Sequence, residues 1–472
     1  MLAAQTQSGV GAAVCVEEAK HKQRVLDHPV PKPKNREQFF VDYQRLEYEE
    51  LAKIACSYQN IRVDCHHNTQ EQSMKILVVS SYFQPAWDWG GPVRSMWNLA
   101  RGLVSLGVDV TVLTTNAKQS GVVDIPEDRT EEGVLIITSP VLGKGRLSQA
   151  NRHGISTGLW KNIVTNVGAA DLVHINGFWG PTPAIAGVAS LFSRKPYIIS
   201  TRGNLQKKAI SDKKVKKQVA FELGVKQILR SASALHYATL LEKKWSPGWA
   251  QIINSIIVPN PIEMKLPVDR DFFRKKHGIE PETLLIGIIG RIHRRKGFDI
   301  IIPALGKCAS ARKNIELVIV GPDEGYRNDL VQIITREGVE GKTKIVGELK
   351  GKELDEAFAG LDLLALPAHG ENFGNVVVEA AIQGTPSIVS DQLGLMDWIK
   401  ENDAGIVVPL DVDAWAKAIG EIDRAEIQCH WEPERLARIV RENFSIESVA
   451  RQMLEQYEKI LSGGKRRGRG KH

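Results

Sequence analysis

The stretch LDLLALPAHGENFGNVVVEAAIQGTPSIVSD (361–391) decides the fold. Its first run, LDLLALP (361–367), is apolar and short enough for a fully buried strand. A loop follows, and then VVVEAAIQG reads as a helix stopped by Gly384. TPSIVSD (385–391) is apolar again. Strand, loop, helix and strand in about 30 residues make a βαβ unit, which places two strands in parallel and covers one sheet face with a helix.

The same alternation extends outward from this stretch. LLIGIIGR (284–291), IELVIVG (315–321) and TKIVGEL (343–349) precede it, and AGIVVP (404–409) follows. An earlier series begins at MKILVVSSYF (74–83) and continues through DVTVLTT (109–115), VLIITSP, DLVHING, YIISTRG and ALHYATL. Between the first two strands of that series, VRSMWNLARGLVSLG (93–107) has helical spacing and ends on Gly107. VPNPIEMKLPVDRDFF separates the two series and reads as a hinge. The expectation is α/β architecture with two doubly wound, Rossmann-like domains, whose ligands bind at the carboxyl ends of the strands in the cleft between them.

The expected boundaries are an irregular N-terminal extension (1–73), a first domain (74–262), a second domain (263–444) and a basic tail (462–472). One short helix is expected around Gln38 to Ile54. Met74 opens a strand directly, so it marks either the true start or the junction with an appendage. An amphipathic helix, SIESVARQMLEQYEKIL (445–461), with Ser445 as its N-cap, is expected to pack on a domain surface, the first domain being one candidate.

Bulk composition narrows the function classes. With 472 residues, 43% hydrophobic and 25% charged, the chain can build its cores without disulfides or metals. Its five cysteines (Cys15, Cys56, Cys65, Cys308, Cys429) form no CxxC pair, and Cys65-His66-His67 lacks partner ligands at useful spacing. This cysteine usage fits a reducing cytoplasm. No stretch reaches the ~20 apolar residues that span a bilayer, and the first residues lack the pattern of a secretory signal. The tail KRRGRGKH supplies five of the seven net positive charges and reads as a solubilising end. No nucleic-acid partner is expected.

Two loops carry candidate chemistry. In ENFGNVVVE (371–379), Gly374 allows close backbone approach. The amides around Asn375 and Val376 open a helix, and such an end suits a diphosphate. A glutamate on that helix, Glu379, can accept from two adjacent ribose hydroxyls, and Glu371 can accept from sugar hydroxyls. In GRIHRRKG (290–297), Arg291 and Lys296 would stabilise the charge that develops on a leaving diphosphate, while Arg294 and Arg295 read as solvated. Asp411-Val-Asp413 has the spacing of a metal-binding pair but precedes a helix, so capping is the expected role. A dinucleotide-dependent oxidoreductase would need G-x-G-x-x-G after the first strand, and none is there.

Together with the turn Gly90-Gly91-Pro92, DLVHING and VPNPIE, these loops resemble glycosyltransferase family 4, the retaining transferases of the GT-B fold. The likeness covers roughly Met74 to Leu461. It implies that Arg291 and Lys296 hold the donor diphosphate, that Glu379 binds ribose and that Glu371 contacts the transferred sugar. Gly90 and Gly91 would close over phosphate, and Phe373, Gly374 and Asn375 complete the donor-binding set. Glu371 and His174 are the candidate catalytic residues. Many family members carry two histidines separated by one residue after the strand equivalent to DLVHING, whereas here His174 is followed by Asn176, and either can take the sugar-contacting place. Trp87 and Arg202 are the candidate acceptor contacts.

The implied function is transfer of a hexose from a UDP- or GDP-sugar to a glycan or lipid-linked glycan, without a metal cofactor, in cell-surface polysaccharide synthesis. The alternatives are an inactive nucleotide-sugar-binding protein and a GT-B phosphorylase or epimerase. LQKKAISDKKVKKQVAFELGVKQILR (205–230) carries eight basic residues, so an anionic membrane surface is a further candidate partner. The expected location is the cytoplasm, with peripheral attachment to the inner face of the membrane as its variant.

Overall fold

The computed structural model describes residues 73–119, 121–142, 155–206, 224–309 and 314–468. The N-terminal extension with its expected helix, most of the basic segment 205–230 and the last four residues lie outside them.

The first series of apolar runs forms an eight-stranded sheet. In chain order its strands and a small hairpin are β1 (Lys75–Ser80), β2 (Asp109–Thr115), the antiparallel hairpin β3 (Ala117–Lys118) and β4 (Gly121–Val122), β5 (Asp128–Glu131), β6 (Val134–Ser139), β7 (Leu172–Asn176), β8 (Tyr197–Ser200), β9 (Ala234–Tyr237) and β10 (Ser255–Ile257). The spatial order is β10-β9-β8-β7-β1-β2-β6-β5, parallel except for edge strand β5. The second series forms a parallel sheet of β11 (Leu284–Ile289), β12 (Ile315–Val320), β13 (Thr343–Gly347), β14 (Leu363–Leu366), β15 (Ser387–Ser390) and β16 (Gly405–Val408). Its order is β13-β12-β11-β14-β15-β16.

Both sheets reverse strand order once, between β1 and β7 and between β11 and β14. At such a switch point the loops leaving neighbouring strands diverge and open a crevice. Gly90-Gly91 follows β1, Asn176 ends β7, Gly290 follows β11 and Glu371 follows β14. The sequence-predicted site loops therefore sit at the two crevices. The two sheets belong to one compact unit, and their crevice loops touch.

Each sheet is buried on both faces, as helix-covered parallel sheets must be. On one face of the first sheet lie helix Gly91–Ser105 and the last helix, Ile446–Gly468. Val449, Met453 and Tyr457 of that last helix are fully buried, at the i, i+4, i+8 spacing of a helix stripe. Burying side chains of this size is worth about 1.5–3 kcal/mol each. The helix runs to Gly468, past the end expected from its apolar pattern. Its N-terminus is capped as the sequence indicates, with Ser448 N–H donating to Ser445 Oγ at 3.2 Å.

The chain therefore crosses between the domains twice. The first crossing is the proline-rich linker, and the second is the junction at Phe444–Ile446. They are stitched together where Ile262 N–H donates to the Phe444 carbonyl at 2.8 Å, beside a parallel bridge between Ile262 and Ser445.

Candidate active site

The loops 290–297 and 367–374 are held by close backbone contacts. Gly297 has φ +76°, and a Cβ there would lie 1.7 Å from the Pro367 carbonyl oxygen, so only glycine lets the 290–297 loop lie against the end of β14. Arg295 is exposed, as expected of a solvated charge, and it also donates to the Gly370 carbonyl at 2.8 Å, while His369 N–H donates to the Arg295 carbonyl at 3.0 Å. The two loops are thus fastened to each other. Gly374, at φ +93°, turns the chain into helix Asn375–Ile382, where a Cβ would lie 2.6 Å from Leu393.

This fastening brings Lys296 and Glu371 together. Lys296 Nζ donates to Glu371 Oε2 at 2.8 Å, with side chains 16% and 29% exposed. An ammonium has three N–H donors, so two remain for phosphate oxygens, and the second carboxylate oxygen of Glu371 remains for hydroxyls. Arg291 lies on the same loop but is 62% exposed and paired with Glu324 at 2.7 Å. Each cation already has a carboxylate partner, so a bound diphosphate would compete with or join existing pairs.

Glu379 lies one helical turn beyond Asn375. Burial holds its carboxyl above the usual carboxylate range, and Lys265 and Arg94 oppose that shift. Both residues line a cavity of about 410 Å³ between helix Gly91–Ser105, helix Asn375–Ile382 and the interdomain linker, together with Trp87, Arg94 and Lys265. Trp87 is 40% exposed there. Trp89 stacks on Tyr82 at 3.9 Å and packs the loop instead. A larger cavity of about 650 Å³, around Ile406, Ile427 and Trp431, contains none of the expected site residues.

Across the cleft, a Cβ at Gly91 would lie 3.1 Å from Asn375 Nδ2. Gln206 Nε2 donates to Asn372 Oδ1 at 3.2 Å, and Thr239 Oγ1 donates to the Asn372 carbonyl at 3.3 Å.

Three expected site residues have side chains engaged within the protein. His174 is fully buried, with Nδ1 2.7 Å from Tyr457 Oη and Nε2 2.6 Å from Ser200 Oγ, so neither nitrogen is open to a substrate. Asn176, two residues on, ends the strand at the crevice and is half-buried. The Phe373 ring is in the hydrophobic core, edge-on to Phe444 at 5.7 Å, so only its backbone can face a donor. Arg202 is a bridge, not an open head group. Its Nε donates to Asn176 Oδ1 at 2.8 Å and its Nη1 to Asn260 Oδ1 at 2.9 Å. Asn260 Nδ2 in turn donates to Asn375 Oδ1 at 3.3 Å. Burial pushes the Arg202 guanidinium down to about 10, against the pull of the buried Glu242 carboxylate. Glu242 was not found from sequence. It accepts from Thr201 Oγ1 at 2.6 Å and from Ala238 N–H at 2.7 Å, and it spans a turn that has no motif of its own.

Among the described residues, no group of three or more histidine, cysteine or acidic side chains is placed to hold a metal. Asp411 caps a helix, accepting from Ala414 N–H at 2.9 Å.

Residues 90–244 match the glycosyl transferase 4-like domain, and residues 269–435 match the glycosyl transferases group 1 domain. The chain belongs to the glycosyltransferases. The two matches fall in the expected order, one on each sheet. D-inositol 3-phosphate glycosyltransferase of Segniliparus rotundus is 27% identical over 219 residues, 44% of this chain and 47% of that one. The chain thus spans about half the length of this relative and of most other curated relatives it matches. The Rhodococcus jostii protein of the same name is 24% identical over 422 residues, 83% of this chain and 90% of that one. HepE of Anabaena, solved with UDP and glucose, superposes with a TM-score of 0.62 at 20% identity, covering 82% of this glycosyltransferase and all of HepE. Sucrose-phosphate synthase from Thermosynechococcus elongatus gives 0.62 at 19%, covering 83% of this chain and all of that one. At these identities the likeness establishes the GT-B fold.

Proposed function

We propose that this protein transfers a hexose from a UDP- or GDP-sugar to a glycan or lipid-linked glycan, with retention at the anomeric carbon and without a metal cofactor, in cell-surface polysaccharide synthesis. The observation that carries this reading is the Lys296–Glu371 pair, set in a crevice beside the helix whose half-buried Glu379 faces a cavity. Lys296 supplies fixed positive charge where a leaving diphosphate gains negative charge. Glu371 accepts from hydroxyls of the transferred sugar. Asn375 opens a helix at the same edge, where free N–H groups suit phosphate. The acceptor hydroxyl attacks from the face the diphosphate leaves, and a phosphate oxygen takes its proton. The protein's own contribution is orientation and charge stabilisation.

The reading includes peripheral attachment to the inner face of a membrane through the basic segment 205–230. Among the described residues, no helix is long and apolar enough to cross a membrane.

Thermal-shift titration with UDP, GDP, ADP and their sugars tests the donor, because a ligand that binds only the native state raises the melting midpoint. At least one uridine or guanosine nucleotide is expected to do so. Lys296→Ala and Glu371→Ala are each expected to cut sugar transfer by at least about 100-fold with the melting midpoint little changed. Wild-type turnover in either variant would remove the assignment.

A further inference from the structure

Four buried side chains on four different elements form one continuous hydrogen-bonded chain. Tyr457 lies on the last helix, His174 on β7, Ser200 on β8 and His236 on β9. The contacts are Tyr457 Oη to His174 Nδ1 at 2.7 Å, His174 Nε2 to Ser200 Oγ at 2.6 Å, Ser200 Oγ to His236 Nδ1 at 2.7 Å, and His236 Nε2 to the Val258 carbonyl at 2.9 Å.

The direction of every bond follows from its last member. A carbonyl only accepts, so His236 Nε2 carries a proton. Burial and the nearby Arg202 keep His236 neutral, well below its ordinary range, so its Nδ1 is an acceptor. Ser200 must therefore donate to His236, which leaves its oxygen to accept from His174 Nε2–H. His174 is also held neutral by burial, so its Nδ1 accepts and the Tyr457 hydroxyl donates. Each of the four side-chain protons has one place to go. Hydrogen bonds linked head to tail in a buried chain polarise and strengthen one another.

The chain ends at the start of the interdomain linker. Two residues after Val258, Asn260 accepts from Arg202 and donates to Asn375 at the mouth of the donor helix. Two residues further, Ile262 is stitched to the junction that begins the helix bearing Tyr457. Linker, last helix and side-chain chain thus close a ring of contacts around the hinge.

We propose that Tyr457 is a positioning residue for the donor helix, acting through His174, Ser200 and His236 to fix the Val258 carbonyl and hence the linker backbone that presents Asn260 to Asn375. This rests on the reading of helix Asn375–Ile382 as donor-binding only for its catalytic consequence. The mechanical link is independent of it.

Hydrogen–deuterium exchange on the full chain tests the link. Tyr457→Phe keeps the ring and removes one proton donor. It is expected to speed exchange about tenfold in the linker (255–266) and in the loop and helix start (372–378). A helix that merely anchors would loosen only within 446–461. Ser200→Ala cuts the chain away from that helix, and it is expected to give the same linker and loop change with 446–461 unaltered. It also decides the matter if Tyr457→Phe does not fold. Unchanged exchange at 255–266 and 372–378 in the folded variants overturns the proposal. UDP and GDP titrations of the same proteins separate the two readings. If wild type binds either nucleotide, Tyr457→Phe is expected to weaken it at least about threefold; equal affinity overturns the catalytic consequence. If wild type binds neither, the proposed donor reading and the catalytic consequence fail together, while the exchange result still stands for or against the mechanical link.

Discussion

At the scale of single residues, the ribose-binding role proposed for Glu379 is set against stability. Its folded carboxyl holds a proton to higher pH than in the unfolded chain, where the ordinary value is 4.5. The folded state then binds more protons above that pH, so stability falls as pH rises toward the folded value. Glutamine has no such cost. Glu379→Gln is therefore expected to raise the melting midpoint at pH 7.5, with the gain shrinking toward zero near pH 4, and, on the proposed function, to weaken binding of the donor nucleotide, UDP or GDP, about tenfold for want of a charged acceptor. A gain that is constant across pH would contradict the burial account. The neighbouring polar residues were only partly legible. Lys296 and Glu371 could be found because glycine-bounded loops follow strands. His174 and Asn176 could not be separated, because residues two apart on a strand share a face and differ only in depth, and depth is set by strand neighbours far away in sequence.

At the scale of elements, the packing of helix Gly91–Ser105 on the last helix depends on Gly102. A Cβ there would meet Ile446 Cγ2 at 2.7 Å and Ala450 Cβ at 2.9 Å. Gly102→Ala gains up to ~1 kcal/mol of helix propensity, while overpacking of this kind costs ~1–3 kcal/mol, and the backbone oxygen of Ile446 at 3.0 Å limits relief. Net destabilisation of about 1 kcal/mol is expected from urea midpoints. A neutral or stabilised variant would show that the two helices can slide apart freely. The twelve apolar strands were readable from their bounded hydrophobic runs. Strand β5, with the sequence DRTE, was not: it is a polar edge strand without an apolar run, and its pairing comes from β6 rather than from its own pattern. Strand β10 has only three residues and sits inside what reads as the approach to a hinge.

At the scale of the whole molecule, the two-sheet architecture was legible because each apolar run is separated from the next by a helical period. That the last helix completes the first domain's core was not, since an amphipathic stripe does not say which surface it covers. Deleting residues 446–468 is expected to leave the second domain's transition in place, to abolish the first domain's near-UV signal and to raise binding of a hydrophobic dye. An intact first-domain transition after the deletion would mean the helix is an accessory.

The double crossing also has a consequence for the order in which the protein is made. About 190 residues separate Val258 from Val449, which takes roughly 10–40 s to synthesise at ~5–20 residues per second. Through that interval the first sheet has one face without its last covering helix, while the second domain emerges whole. The half of the molecule made first is therefore completed last, and a nascent-chain chaperone would find its apolar target on the first domain until the final helix leaves the ribosome.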